Sequence, residues 1–172
     1  MARRPKIREI DTRLGKHKIE AGKVITFPKG LIGFEDQRAF TLLQIREESP
    51  FLILQSMLKP DLGLLVGDPY IFMPEYSVRI GDAEQALLQV QSADQIAVLV
   101  TVTIPHGHPD QTSLNLTGPI LINHDARIGV QVPQADIDPP RLMLRLLNKQ
   151  DNEPEGDAPK VDPPKNVDDA NK

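Results

Sequence analysis

Ala97-Val98-Leu99-Val100-Thr101-Val102-Thr103-Ile104 is the stretch whose pattern decides the fold of this 172-residue chain. Val98, Val100, Val102 and Ile104 alternate with Ala97, Leu99, Thr101 and Thr103, so each set falls on one face at the two-residue period of an extended strand. β-Branched side chains are stiff and pack well on a pleated surface. The stretch reads as a strand. Working outward, Phe51-Leu52-Ile53-Leu54-Gln55-Ser56-Met57 is a second one, apolar on both faces at first and polar on one later.

Further short apolar runs between turn residues predict strands at Ile7–Arg13, Lys16–Glu20, Lys23–Phe27, Phe40–Ile45, Leu62–Val66, Ser113–Leu116, Pro119–Ile122 and Arg127–Val132. Leu14-Gly15 suits a tight hairpin between the first two, because glycine tolerates positive φ. Prolines 28, 50, 60, 69, 105, 119 and 133 stand at strand borders, where a missing N–H does least damage. Asp82-Ala83-Glu84-Gln85-Ala86-Leu87-Leu88 departs from the pattern: strong helix formers follow an Asp suited to the cap or first turn. Ser92-Ala93-Asp94-Gln95 reads as a second short helical turn capped by Ser92. The expected architecture is all-β, a small antiparallel β-barrel or sandwich with one or two short helices.

Length and composition agree with one folded unit. A domain of roughly 125–145 residues buries about two-thirds of its unfolded surface, enough for a core without staples. There is no cysteine, hence no disulfide framework, thiol nucleophile or thiolate metal site. The basic start, Met1-Ala2-Arg3-Arg4-Pro5-Lys6, leads into no apolar run of signal-peptide length, and no window approaches the roughly 18 apolar residues of a membrane span. A cytoplasmic protein without membrane contact is expected. From about Lys149 the sequence turns to Pro, Asp, Asn and Lys, with too little apolar area to offset ordering entropy. The expected organisation is a single domain over residues 1–148 and a disordered, acidic, Pro-rich tail over 149–172.

Charge is uneven. Residues 1–23 hold Arg3, Arg4, Lys6, Arg8, Arg13, Lys16, Lys18 and Lys23 against three acids, while the formal net charge is −4. An acidic body opposes an extended phosphate-binding surface, and an aromatic content of 4% leaves few platforms for base stacking. Direct nucleic-acid binding is not expected.

The best lead toward chemistry is Pro105-His106-Gly107-His108-Pro109-Asp110, which brings metal-binding donor types together. Nothing in the sequence brings His17, His124 or a carboxylate there as further ligands, so His106 and His108 read as loop histidines. No G-x-S-x-G elbow, G-x-G-x-x-G or P-loop occurs. Glu35-Asp36 and Glu47-Glu48 are sequence neighbours in turns and read as solvated charges. Neither catalysis nor a cofactor or metal site is expected.

Ile25-Thr26-Phe27-Pro28-Lys29-Gly30-Leu31-Ile32-Gly33-Phe34-Glu35 resembles the opening signature of the FliW family. Pro50-Phe51 with Leu54-Gln55-Ser56 follows, then Val66-x-Asp68-Pro69-Tyr70 with Pro74-Glu75-Tyr76. Asn115-Leu116-x-x-Pro119-Ile120-x-Ile122-Asn123 and Gly129-x-Gln131-Val132 complete an ordered set spanning residues 7 to about 147. Ile32 stands where the family usually has Pro, and Thr117-Gly118 where it usually has a basic residue and Ala. The resemblance implies a flagellar assembly factor with two protein partners, flagellin held before export and the RNA-binding translational regulator CsrA. The alternative is a generic β-barrel adaptor or an RNA-binding barrel outside the flagellar system.

Phe27, Phe40 and Phe51 read as core, and Asn115 and Asn123 as partners of strand-end backbone. Phe34, Tyr70, Phe72, Met73 and Tyr76 are large apolar side chains in or beside Gly/Pro-rich loops, and such residues are enriched at interfaces. With Glu35 at their rim, they are the expected partner-binding residues.

Overall fold

The computed structural model describes residues 6–144, so the expected tail over 149–172 and the basic residues Arg3 and Arg4 lie outside the described residues. The strands are β1 (Ile7–Thr12), β2 (Gly15–Glu20), β3 (Ile25–Thr26), β4 (Ala39–Gln44), β5 (Phe51–Ser56), β6 (Gly63–Gly67), β7 (Ile96–Thr103), β8 (Ser113–Asn115), β9 (Ile120–Asn123), β10 (Ile128–Gln131) and β11 (Arg141–Met143). A helix α1 (Asp82–Leu88) and short 3-10 turns at Pro69–Ile71 and Ala93–Gln95 lie between β6 and β7. The structure is all-β with one short helix, as expected.

β7 is the hub. Its start, Ile96–Leu99, pairs with β9; Val100 and Thr101 pair with β6; Val102 and Thr103 pair with β8. Following the pairings β7–β6–β5–β4–β3–β10–β9 and back to β7 closes a barrel, and closure removes the free strand edges that invite aggregation. One pairing departs from the antiparallel rule: β10 meets β3 in parallel at Ile128↔Thr26. β8 and β11 extend from the upper half of β7 as a separate arm.

Both faces of β7 are used. Leu99 belongs to the barrel interior with Ile25, Phe27, Phe40, Leu54, Val66 and Ile120. Val100 and Val102 belong to a second core with Tyr76, Leu114 and Leu116. Ile104, on the same alternating face by sequence, lies past the strand end and is 47% exposed. The β1–β2 hairpin is a sheet of its own, and Ile10 and Ile19 pack on Leu43 and Met57. Its two-residue loop is Arg13-Leu14 rather than Leu14-Gly15, with Gly15 taking positive φ at the first paired position of β2.

The Phe27 and Phe40 rings meet edge to face at 5.3 Å in the barrel interior, an arrangement favoured by the ring quadrupoles. Gly129 on β10 is part of that packing: a Cβ there would collide with the Phe27 ring. Any larger residue must displace the aromatic pair.

Candidate functional site

The segment from Asp68 to Gly81 pairs with no strand among the described residues, yet it covers the outer face of β7. Asp68 accepts a hydrogen bond from the Tyr70 N–H (2.8 Å), and Pro69 opens the turn without needing a donor. The Met73 N–H returns to the Pro69 carbonyl (2.8 Å), and the Tyr76 N–H to that of Met73 (3.0 Å). Phe72 stacks on Phe51 with ring centres 5.9 Å apart, and Phe72 and Met73 are half-buried against the second core.

Tyr76 requires a correction. Expected at the surface, it is 5% exposed, and its hydroxyl donates to the Leu116 carbonyl at 2.7 Å. Burial, followed by the nearby Tyr70, pushes its phenol up to about 12. It anchors the segment from beneath. Tyr70, with its ring centre 5.9 Å from that of Tyr76, remains 39% exposed, and burial and then the Asp68 charge raise its phenol as well. Further along, Gln134 clasps the strap: its Oε1 accepts from the Arg79 N–H (2.8 Å) and its Nε2 donates to the Arg79 carbonyl (2.9 Å).

Helix α1 starts where the Glu84 carboxylate accepts from the Gly81 N–H (3.0 Å). It ends at Gln89 in the left-handed region. Asn123, at the end of β9, donates to the Leu88 carbonyl (2.9 Å) and accepts from the N–H groups of Asp125 and Ala126. The expected strand-end role of Asn123 thus extends to capping a helix. Asn115 accepts from the backbone and hydroxyl of Thr117.

Between strap, helix and β7 lies an open groove of about 600 Å³. Val98, Ile96 and Leu121 come from the sheet, Val78 and Ile80 from the strap, and Val90 follows α1; Tyr70, Gln85, Gln91 and Ser92 supply the polar lining. A second hollow of about 670 Å³ is formed by Ile45, Phe51, Leu65 and Ile104 beside Arg46, Glu47 and Glu48. Of the expected partner-binding residues, Tyr70 lines the first groove.

Phe34 and Glu35 belong elsewhere. Phe34 exchanges hydrogen bonds with Leu31 across a tight turn and leans on the barrel interior, half-buried. Gly30 allows the turn: it has φ +69°, and a Cβ there would lie 2.6 Å from the Phe34 carbonyl oxygen and from Glu35 Cα. The Glu35 carboxylate accepts from the Gly33 N–H at 2.9 Å, and that bond holds it below the ordinary carboxylate range. The turn is tied to β10 by Gln131, which accepts from the Ile32 N–H at 3.0 Å.

Sequence reading missed Val78, Ile80, Val90 and Ile96 as groove residues. The available signal was alternation, with Tyr76, Val78 and Ile80 at a period of two and Ile96 continuing the face of Val98. His106 and His108 are exposed beyond β7, and among the described residues no three His, Asp or Glu side chains gather to hold a metal. Among those residues, too, no helix is long and apolar enough to cross a membrane.

Residues 9–142 match the FliW protein family. The chain is 58% identical over 147 residues to the flagellar assembly factor FliW of Nitratidesulfovibrio vulgaris strain DP4, covering 85% of this chain and 84% of that one. It is 54% identical over 149 residues to the protein of the same name from Desulfovibrio desulfuricans, covering 86% and 89%. A crystal structure of the flagellar assembly factor FliW superposes with a TM-score of 0.71 at 32% identity, over 76% of this chain and 92% of that one. The closed barrel hung on β7, the strap over its outer face and these matches lead to one conclusion: the chain belongs to the FliW family of flagellar assembly factors.

Proposed function

We propose that this protein works in the cytoplasm by binding two proteins in turn: newly made flagellin before export and, when flagellin is scarce, the translational regulator CsrA, whose repression of flagellin synthesis is thereby relieved. It binds and releases; it catalyses nothing and uses no cofactor. The observation that carries this reading is the open apolar groove under Tyr70. A flagellin helix left unpaired before assembly presents an apolar face, and such faces dock into grooves of this kind. Exposed acids suit encounter with an RNA-binding regulator, because opposite potentials speed association.

Tyr70 is the proposed groove contact, Phe72 and Met73 hold its segment in shape, and Tyr76 anchors it. Phe34 and Glu35 form a separate contact on their turn. Truncating a central anchor costs about 2 kcal/mol or more, roughly thirtyfold in affinity. Calorimetric titration of purified flagellin monomer into the wild type and Tyr70→Ala is expected to show that loss, with unchanged circular dichroism. Wild-type protein that binds neither flagellin nor CsrA would overturn the function. Equal flagellin affinity in Tyr70→Ala would move the contact away from the groove.

A further inference from the structure

The groove under Tyr70 has an apolar floor and polar edges. We propose that it seats the apolar face of an amphipathic helix whose flanks carry lysine or arginine, presented by a protein partner. This rests on the proposed function and specifies the segment recognised.

Three features of the groove support it. Its lining is made of side chains, among them Val78, Ile80, Val90, Ile96 and Val98. The β7 backbone at Ile96 and Val98 already lies within the pairing with β9. A helix satisfies its own backbone and offers only side chains, which suits such a surface. The space, about 600 Å³ and open to solvent, receives a few side chains spaced i, i+3 and i+4.

Charge sets the third feature. Asp68, Asp82, Glu84 and Asp94 each lie within two positions of a groove residue, and Arg79 is the one base placed so closely. The Ser92 hydroxyl hydrogen-bonds the Asp94 carboxylate and is the largest influence keeping that acid below its ordinary range, hence charged at neutral pH. Asp125 adds a further acid through the Gln95 side chain, with its carboxylate 3.0 Å from the His124 imidazole, which also bonds the Asp94 carbonyl. A helix flanked by basic residues gains from this field, whereas an acidic one is repelled.

The test uses full-length protein and two labelled helical peptides with leucine at i, i+3, i+4 and i+7. One carries lysine at the flanking positions and the other glutamate. In low salt the lysine peptide is expected to bind at least about tenfold tighter, with the gap narrowing as salt screens exposed charge. Ile80→Ser, which changes no charge, is expected to weaken the lysine peptide by about tenfold, separating groove docking from diffuse attraction. Asp82→Lys with Asp94→Lys is expected to abolish the preference while leaving the fold intact by circular dichroism. Equal binding of the two peptides, or binding indifferent to Ile80→Ser, overturns the inference. A stable dimer in sedimentation that the lysine peptide fails to dissociate also overturns it, since the groove would then hold a second copy. Flagellin titrated against the same variants keeps the two ideas apart. If wild type fails to bind flagellin and CsrA, the proposed function is lost. If flagellin binds wild type but the peptides show no charge preference, only the inference is lost.

Discussion

Asn123 is 1% exposed and ties three segments together: α1 through the Leu88 carbonyl, the β9–β10 turn through two N–H groups, and its own strand. Removing its side chain leaves the buried Leu88 carbonyl without a partner, at about 1–3 kcal/mol, and gives the two N–H groups of the exposed Asp125-Ala126 turn to water. Asn123→Ala is therefore expected to lose about 1–3 kcal/mol in urea unfolding, an outcome that a loss below about 1 kcal/mol would contradict. Tyr76 makes a pH-dependent contribution. Its phenol ionises near 10 when unfolded and at about 12 when folded, so folding favours the neutral form. That stability is fully present below pH 10 and is lost as pH rises toward 12. Tyr76→Phe keeps the ring, and its unfolding free energy is expected to fall less steeply between those pH values. Parallel slopes for the two proteins would show that the hydroxyl is not protected.

At the scale of elements, the strap between β6 and α1 is held by side chains, not by a ladder. Tyr76 fixes it below, Phe72 lies against Phe51, and Gln134 pairs both polar groups of the Arg79 backbone. Gln134→Ala removes two bonds of about 1 kcal/mol each, partly replaced by water because the site is exposed. Faster amide exchange around Arg79, without a change in the barrel strands, is the expected result. Slowed or unchanged exchange there would mean that Tyr76 and Phe72 suffice. β7 shows why element type was legible: its eight residues alternate so regularly that only a strand satisfies them. Its surroundings were not legible, because Leu99 is buried in the barrel while Val100 and Val102 are buried in the second core, and alternation alone cannot distinguish two cores.

For the whole molecule, the closed ring and its outer layer account for the described residues, while the last stretch of sequence has almost no apolar area to add. Deleting residues 151–172 is expected to leave the thermal midpoint unchanged; a loss above about 2 kcal/mol, several degrees for this size, would reveal docking of that stretch. The exposed carboxylates Glu35, Asp36 and Asp94 are all held below their ordinary range by hydrogen bonds. Whatever stability they contribute is present above the ordinary carboxylate values and lost as pH falls through the lowered ones.

The sequence by itself determined the all-β class, most of the strands, the helix at Asp82–Leu88 and the short turn at Ala93–Gln95, because periodicity and helix propensity are local properties. It also identified the family, since the ordered motifs lie in one linear string. Only the tertiary structure decided that β3 and β10 meet in parallel, that β11 pairs with β8, and that Phe34 and Tyr70 belong to different surfaces. Tyr76 makes the distinction plain. Its neighbours Pro74 and Glu75 mark a loop, but burial depends on Leu116, forty positions away, whose carbonyl accepts its hydroxyl. Long-range pairing brings such partners together, and no local pattern encodes it.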